Sequence, residues 1–114
     1  LDFLHYSERL VPVFQFIDEH LDESIKVASL ADVANLSLSR FHVFFKEHMG
    51  ESPMEYIKRV RLERSCQLLA TSDLPIYAVA EAVGFVSPFH FSRAFKIQVG
   101  MSPSHYRRQL WPER

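Results

Sequence analysis

The 114-residue sequence contains three glycines and one cysteine, and none of its apolar runs approaches the length of a membrane-crossing helix. With so little glycine there is no Gly-rich loop to cradle phosphates, and neither a nucleophile elbow nor a His-based metal motif is present. The single thiol, Cys66, excludes an internal disulfide framework and fits a reducing cytoplasm, where it reads as a small buried apolar residue. The six histidines include no pair set with cysteine or carboxylates at zinc spacing, so no metal is expected. The first residues lack the charged, apolar, small order of a signal peptide. The chain opens on Leu1 rather than Met, from which a piece of a longer protein is expected. Neither catalysis nor membrane insertion has residues to carry it, and no cofactor is called for.

What is abundant is apolar and aromatic. Hydrophobic residues make up 47% of the chain and ten are Phe, enough at this length for one compact unit or two small lobes. The net charge of −1 argues against nucleic acid only until its distribution is read. Residues 1–32 carry seven acids and two bases, whereas residues 33–114 carry eleven bases and seven acids. An acidic front on a basic remainder lets one surface face phosphates while another is turned away.

The chain also repeats itself. "SLSRFHVFFKEHMGESPMEY" (Ser37 to Tyr56) and "SPFHFSRAFKIQVGMSPSHY" (Ser87 to Tyr106) share eight identities at an offset of 50, among them Phe41/Phe91, Phe45/Phe95, Gly50/Gly100 and Tyr56/Tyr106. Upstream, "LADVANLS" resembles "VAEAVGFVS" at an offset of 49, so the second copy has one extra residue in its turn. Two copies are too few for a solenoid and read as a duplicated module.

Each copy is helical. Phe41, Phe44, Phe45 and Met49 fall on one helix face, as do Phe91, Ala94, Phe95 and Val99. Ser37 and Ser87 suit N-caps, Gly50 and Gly100 suit left-handed stops, and each stop leads into Ser-Pro, the start of another helix. Ser52 with Glu55 makes a capping box. Short helices precede each window (Val27 to Ala34 and Pro75 to Val83), and Ala31 and Ala80 lie where two helices would have to approach closely. The result is helix, short turn, helix, twice. Pro12 to Leu21 reads as a first helix, Pro53 to Ala70 as a long connecting one and Pro103 to Leu110 as a last. The fold expected is therefore all-α, with seven helices in two helix-turn-helix subdomains joined by a long central helix. Residues 1–11 are expected to be a linker, 12–52 the first module, 53–72 the connection, 73–110 the second module and 111–114 a tail.

With the Phe-rich faces inward, a partner meets the opposite faces. In the first copy these carry Ser39, Arg40, His42 and Val43, and in the second Phe89, His90, Ser92 and Arg93. Arg donates two bonds to guanine, Ser bonds several bases, and Val or Phe packs on a thymine methyl, so these eight are the expected base contacts. Ser37, Lys46, Ser87 and Lys96 are the expected phosphate contacts, which position without specifying. A second reading keeps the same faces for a protein partner such as RNA polymerase, with DNA contact minor. Salt dependence of DNA binding separates the two.

"LADVANLS", "FFKEHMG", "SPMEYIKRVRLERSCQLL", "PIYAVAEAVGF" and above all "HFSRAFKIQVGMSPSHYR" resemble the C-terminal DNA-binding domain of the AraC/XylS family of bacterial transcription regulators, over roughly residues 12–108. The resemblance implies seven helices, recognition helices near Leu38 to Met49 and Pro88 to Val99, and a sequence-specific activator. Because the two outward faces differ, the double-stranded promoter site is expected to be non-palindromic. The resemblance also implies cytoplasmic, nucleoid-associated residence and an effector-sensing or dimerising domain on the N-terminal side. The chain departs from the family pattern in four places. Val43 stands where Arg is common, Ser65 where Ala is, Asn35 where Gly is, and Lys26 where Ser or Thr usually caps the second helix.

Overall fold

The computed structural model describes residues 3–112, and among them seven helices and no strand. They are α1 (Phe3–Glu19), α2 (Val27–Val33), α3 (Leu38–Met49), α4 (Pro53–Thr71), α5 (Ile76–Ala82), α6 (Pro88–Val99) and α7 (Pro103–Leu110). Two compact units divide the chain, the first ending at Lys58 and the second starting at Arg59, so α4 contributes its opening turns to one and the remainder to the other. This explains why α4 has apolar residues on more than one side. Ile57 is buried in the first unit, and Leu62 and Leu69 in the second.

Local chemistry fixes the helix ends. The hydroxyls of Ser37, Ser87 and Ser102 accept the amides of Arg40, His90 and His105, each closing the first turn of its helix. Ser52 and Glu55 form the expected reciprocal box, with the Ser52 amide donating to the Glu55 carboxylate at 2.9 Å and the Glu55 amide to the Ser52 hydroxyl at 3.2 Å. These bonds hold the Glu55 carboxyl below its ordinary range. Gly50 (φ 75) and Gly100 (φ 93) take the left-handed conformation at the ends of α3 and α6. Lys26, at the start of α2, provides no side-chain cap, as its departure from the family pattern implies.

The two turns inside the modules are built alike. The Leu36 amide donates to the Ala31 carbonyl and the Phe85 amide to the Ala80 carbonyl, each at 3.0 Å, across a left-handed residue: Asn35 (φ 60) in one turn and Gly84 (φ 92) in the other. Asn tolerates that geometry, so the turn survives without Gly. Ala31 and Ala80 are buried at the close approach. The extra residue of the second copy is Val86, which follows this common bond and is 98% exposed.

The first helix differs from expectation. Pro12 suits a helix start, but α1 begins at Phe3 and runs through it, so residues 3–11 are helical rather than a linker. Burial explains the extension, because Leu10, Val13, Ile17 and Leu21 form one buried stripe that a start at Pro12 would cut. Of the expected tail, residues 113–114 lie outside the described residues.

The duplication also reaches further back than the letters show. Leu10, Val13 and Ile17 of α1 and Leu62, Ser65 and Leu69 of α4 are buried at the same spacing, 52 positions apart, with no identity beyond the first pair. Ser65 is tolerated in Val13's place because its hydroxyl donates to the Leu62 carbonyl at 2.6 Å, so the buried oxygen is satisfied. Phe14 packs against Tyr56 at 5.4 Å, and Cys66 and Tyr106, at the corresponding places, both pack against the core of the second unit. Each unit is thus a support helix, a helix-turn-helix and the start of a closing helix.

The second unit is closed by Arg107 on α7. Its guanidinium donates to three carbonyls, Leu69 at 3.2 Å, Ser72 at 3.1 Å and Leu74 at 2.6 Å. The Thr71 and Ser72 hydroxyls take the Gln67 and Leu68 carbonyls, so the open end of α4 is satisfied by side chains, with a cation at its negative pole. Because all three bonds are charge-assisted, Arg107→Met should lower stability by roughly 2 to 4 kcal/mol, and Arg107→Lys should recover only a minor part. Urea unfolding of the three proteins checks this; equal midpoints would mean the clamp carries no stability.

Candidate nucleic-acid interface

The buried side of each helix-turn-helix decides which residues face out. On α3, Phe41 and Phe45 have no exposure and Phe44 has 9%, leaving Ser39, Arg40, His42, Val43 and Lys46 exposed. On α6, Phe91 and Phe95 have no exposure and Ala94 little, leaving Phe89, His90, Arg93 and Lys96 exposed and Ser92 half-buried. Rings lock both helices from behind. Phe41 and Phe45 lie 5.6 Å apart and Phe45 meets Tyr56 edge-on at 5.5 Å; Phe91 and Phe95 lie 5.7 Å apart and Phe95 meets Tyr106 edge-on at 5.5 Å.

The structure gathers most of the expected contacts into two concavities, one per unit. In the second unit Phe89, His90, Ser92, Arg93 and Lys96 line a depression of about 600 Å³, with Ser102, the α7 cap, on its edge. In the first unit Ser39, Arg40 and Val43 line one of about 630 Å³, while His42 and Lys46 lie outside it. Sequence reasoning missed several neighbours. Arg9 of α1, Glu47 and His48 also line the first depression, and Ser102 lines the second. Arg9 carried no signal, because residues 1–11 read as a linker. Ile97, 77% exposed one turn past Arg93, is a further apolar residue on the outer face of α6.

Both expected phosphate-contact serines are engaged as caps. Ser37 Oγ accepts the Arg40 amide, and Ser87 Oγ accepts the His90 amide and also lies 2.9 Å from His90 Nδ1. Either serine could therefore meet a phosphate only through its hydroxyl proton. Lys46 and Lys96 sit in the last turns of their helices. Arg40, Arg93 and Lys96 make no ion pair with a described residue. These open cations, Arg40 in the first turn of α3 and Arg93 and Lys96 further along α6, make both patches attractive to anions.

Among the described residues, no group of three His, Cys, Asp or Glu could hold a metal ion, and no helix is long and apolar enough to cross a membrane. Cys66 packs on the second unit's core, where burial pushes its thiol up, away from the reactive thiolate.

A family described as a helix-turn-helix domain matches residues 30–109, which takes in both modules. The chain is 41% identical over 98 residues to the probable transcriptional regulator LumQ of Photobacterium leiognathi, covering 86% of this chain and 40% of that protein. It is 37% identical over 102 residues to the arabinose operon regulatory protein of Escherichia coli, covering 89% of this chain and 35% of that protein. The DNA-binding domain of AdpA, solved in complex with a target DNA, superposes with a TM-score of 0.85 at 33% identity, covering 93% of this chain and 98% of that one. The chain belongs to the AraC family of transcriptional regulators. As an AraC-type DNA-binding domain it spans about two fifths of the length of such relatives. An AraC-type regulator from Chromobacterium violaceum, with a TM-score of 0.87 at 23% identity over 97% of this chain and 99% of that one, adds agreement of fold alone.

The division into faces is directly testable. Phe89 is 87% exposed, so Phe89→Ala should change stability by no more than about 0.5 kcal/mol, whereas Phe91→Ala, two residues away with no exposure, should cost about 3 to 5 kcal/mol. Thermal melts of both variants decide it; a destabilised Phe89→Ala would mean the ring belongs to the core.

Proposed function

We propose that the chain reads double-stranded DNA through two unlike faces, with α3 and α6 each entering the major groove. The observation that carries this reading is the 87% exposed ring of Phe89 beside an Arg93 that makes no ion pair with a described residue, on a helix whose other side is wholly buried. A merely solvated face has no use for that ring, whereas a thymine methyl or base edge does. In this reading Ser39, Arg40, His42 and Val43 touch bases from α3, and Phe89, His90, Ser92 and Arg93 from α6. Lys46 and Lys96, with the capping serines Ser37 and Ser87, meet phosphates. Val43 stands where the second module has Arg93, so the one Arg of each face sits at a different place, Arg40 in the first turn of α3 and Arg93 midway along α6.

The parent protein is a transcription regulator acting as an activator in the bacterial cytoplasm, on nucleoid DNA. The part of it outside this chain senses an effector or dimerises, and RNA polymerase is a partner of the whole. The domain itself needs no cofactor and catalyses nothing. Because the outward residues of the two modules differ, the site is non-palindromic and one chain occupies it. The two modules are joined by the 19-residue helix α4 rather than by a Gly-rich or Pro-rich tether, and their subsites lie in adjacent major-groove segments.

Two measurements test the reading. Arg93→Ala should cost about 1 to 3 kcal/mol on the preferred site and relax preference at one position, while Lys96→Ala should weaken all duplexes alike. An Arg93→Ala loss that is equal on every duplex would remove its readout role. Inserting about five base pairs between the subsites turns one of them to the opposite side of the duplex and should abolish most of the specific affinity. In an anisotropy titration, unchanged affinity or two chains per site would defeat the monomeric two-subsite arrangement.

A further inference from the structure

Ser87 and His90 stand in a relation that no other capping pair shares among the described residues. One atom, Ser87 Oγ, accepts the His90 amide at 3.2 Å and lies 2.9 Å from Nδ1 of the same residue's ring. In the first unit Ser37 Oγ accepts only the Arg40 amide, at 3.3 Å. A neutral imidazole has one donor nitrogen and one acceptor nitrogen, and the partner of one sets the role of the other.

Two other histidines show the opposite arrangement. Nδ1 of His20 lies 2.8 Å from the Phe16 carbonyl and Nδ1 of His48 lies 2.8 Å from the Phe44 carbonyl. A carbonyl only accepts, so both rings carry their proton on Nδ1 and leave a lone pair on Nε2. His90 sits in the first turn of α6, where the free backbone groups are N–H donors and the local potential is positive. There the favourable group to turn toward the helix is a lone pair. The Ser87 hydroxyl then donates to Nδ1 while its oxygen accepts the amide. The neighbours in the surrounding concavity are Phe89, Ser92, Arg93, Lys96 and Ser102, none of them a carboxylate that would draw the proton back to Nδ1.

We propose that Ser87 is a positioning residue for DNA readout, holding the His90 imidazole as the Nε2–H tautomer so that a hydrogen-bond donor is the edge offered to the duplex. This rests on the DNA-reading role of α6 given above and assigns it a selectivity. An Nε2–H donor suits the major-groove acceptors O6 and N7 of guanine, N7 of adenine or O4 of thymine, and is mismatched to the amino group of cytosine. It also gives the corresponding positions Arg40 and His90 the same donor character by different means. The Ser87 proton is thereby committed to the ring, so of the two capping serines only Ser37 keeps a proton for a phosphate, and this inference replaces the phosphate contact of Ser87 with a positioning role.

The deciding experiment is a long-range 1H–15N correlation spectrum of the imidazoles in the 114-residue chain without DNA, at a pH where the rings are neutral. His90 should be protonated on Nε2, with His20 and His48 protonated on Nδ1 as internal references of the opposite kind. Ser87→Thr should preserve the pattern. Ser87→Asp keeps an N-cap acceptor but brings no proton, and should turn His90 to the Nδ1–H form. A wild-type His90 protonated on Nδ1, or a Ser87→Asp spectrum identical to wild type, overturns the proposal. Because no DNA is present, this outcome is separate from the failure of DNA reading itself. On DNA, Ser87→Thr should retain base preference, whereas Ser87→Ala should lower the preference ratio about threefold to tenfold, the worth of one hydrogen bond. That loss should not add to the loss from His90→Ala, and full additivity would mean the two residues act independently.

Discussion

Everything the outer faces do depends on rings packed behind them. In each unit two Phe residues one helical turn apart lie against each other, and the second meets a Tyr edge-on, Phe45 with Tyr56 at 72° and Phe95 with Tyr106 at 70°. Edge-to-face pairs are worth about 0.5 to 1.5 kcal/mol each beyond the area they bury, and they fix rotation as well as proximity. Once residues 41 and 45, or 91 and 95, are pinned inward, helical geometry leaves no freedom for Val43 or Arg93. The left-handed Gly50 and Gly100 turn the chain toward a capped Ser-Pro start, which delivers the Tyr to its ring. The identities shared by the two copies are mostly these residues, so what the repeat specifies is an orientation.

The units diverge where that orientation is already secured. At the corresponding step of the closing helix the first unit has Ile57, fully buried, and the second has Arg107. Ile57 sits early in a helix that runs on to Thr71, whereas α7 ends at Leu110 and its Arg turns back onto the carbonyls at the end of α4. One start sequence therefore serves two endings, one held by apolar packing and the other by charge-assisted hydrogen bonds.

This contrast also accounts for what the sequence revealed. Both recognition helices fall on their expected residues because caps and left-handed stops are local events, legible within four or five positions. The outward faces were legible for the same reason, since a Phe stripe at helical spacing names its opposite side. Four features depend on tertiary context and left no comparable trace. Burial of Leu10 carries α1 through Pro12, against the usual meaning of that residue. The kinship of α1 with the second half of α4 lies in spacing rather than letters, with Val13 answered by a Ser65 that needs its hydroxyl bond to be buried at all. The clamp of Arg107 left no sign in the last helix, because its three acceptors are 33 to 38 residues away along the chain. Arg9 joins the first depression only because the supporting helix extends back to include it.

The same division between local and distant constraint explains why the two reading faces are free to differ. Ser39 corresponds to Phe89, Arg40 to His90, His42 to Ser92 and Val43 to Arg93, with no identity among the four pairs. Each of these side chains is largely outside the ring-packed core, where a substitution changes stability by only about 0.5 kcal/mol. Inside, the corresponding pairs Phe41/Phe91 and Phe45/Phe95 are the same, and a truncation there costs several kcal/mol. A chain that carries two copies of one frame can therefore hold two different surfaces at almost no cost in folding. A symmetric dimer of a single module has no such freedom, because any change to its reading face appears twice. Duplication within one chain lifts that restriction, and the departure at Val43 is the kind of asymmetry it permits: each face carries one Arg and one apolar side chain, but at different places along its helix.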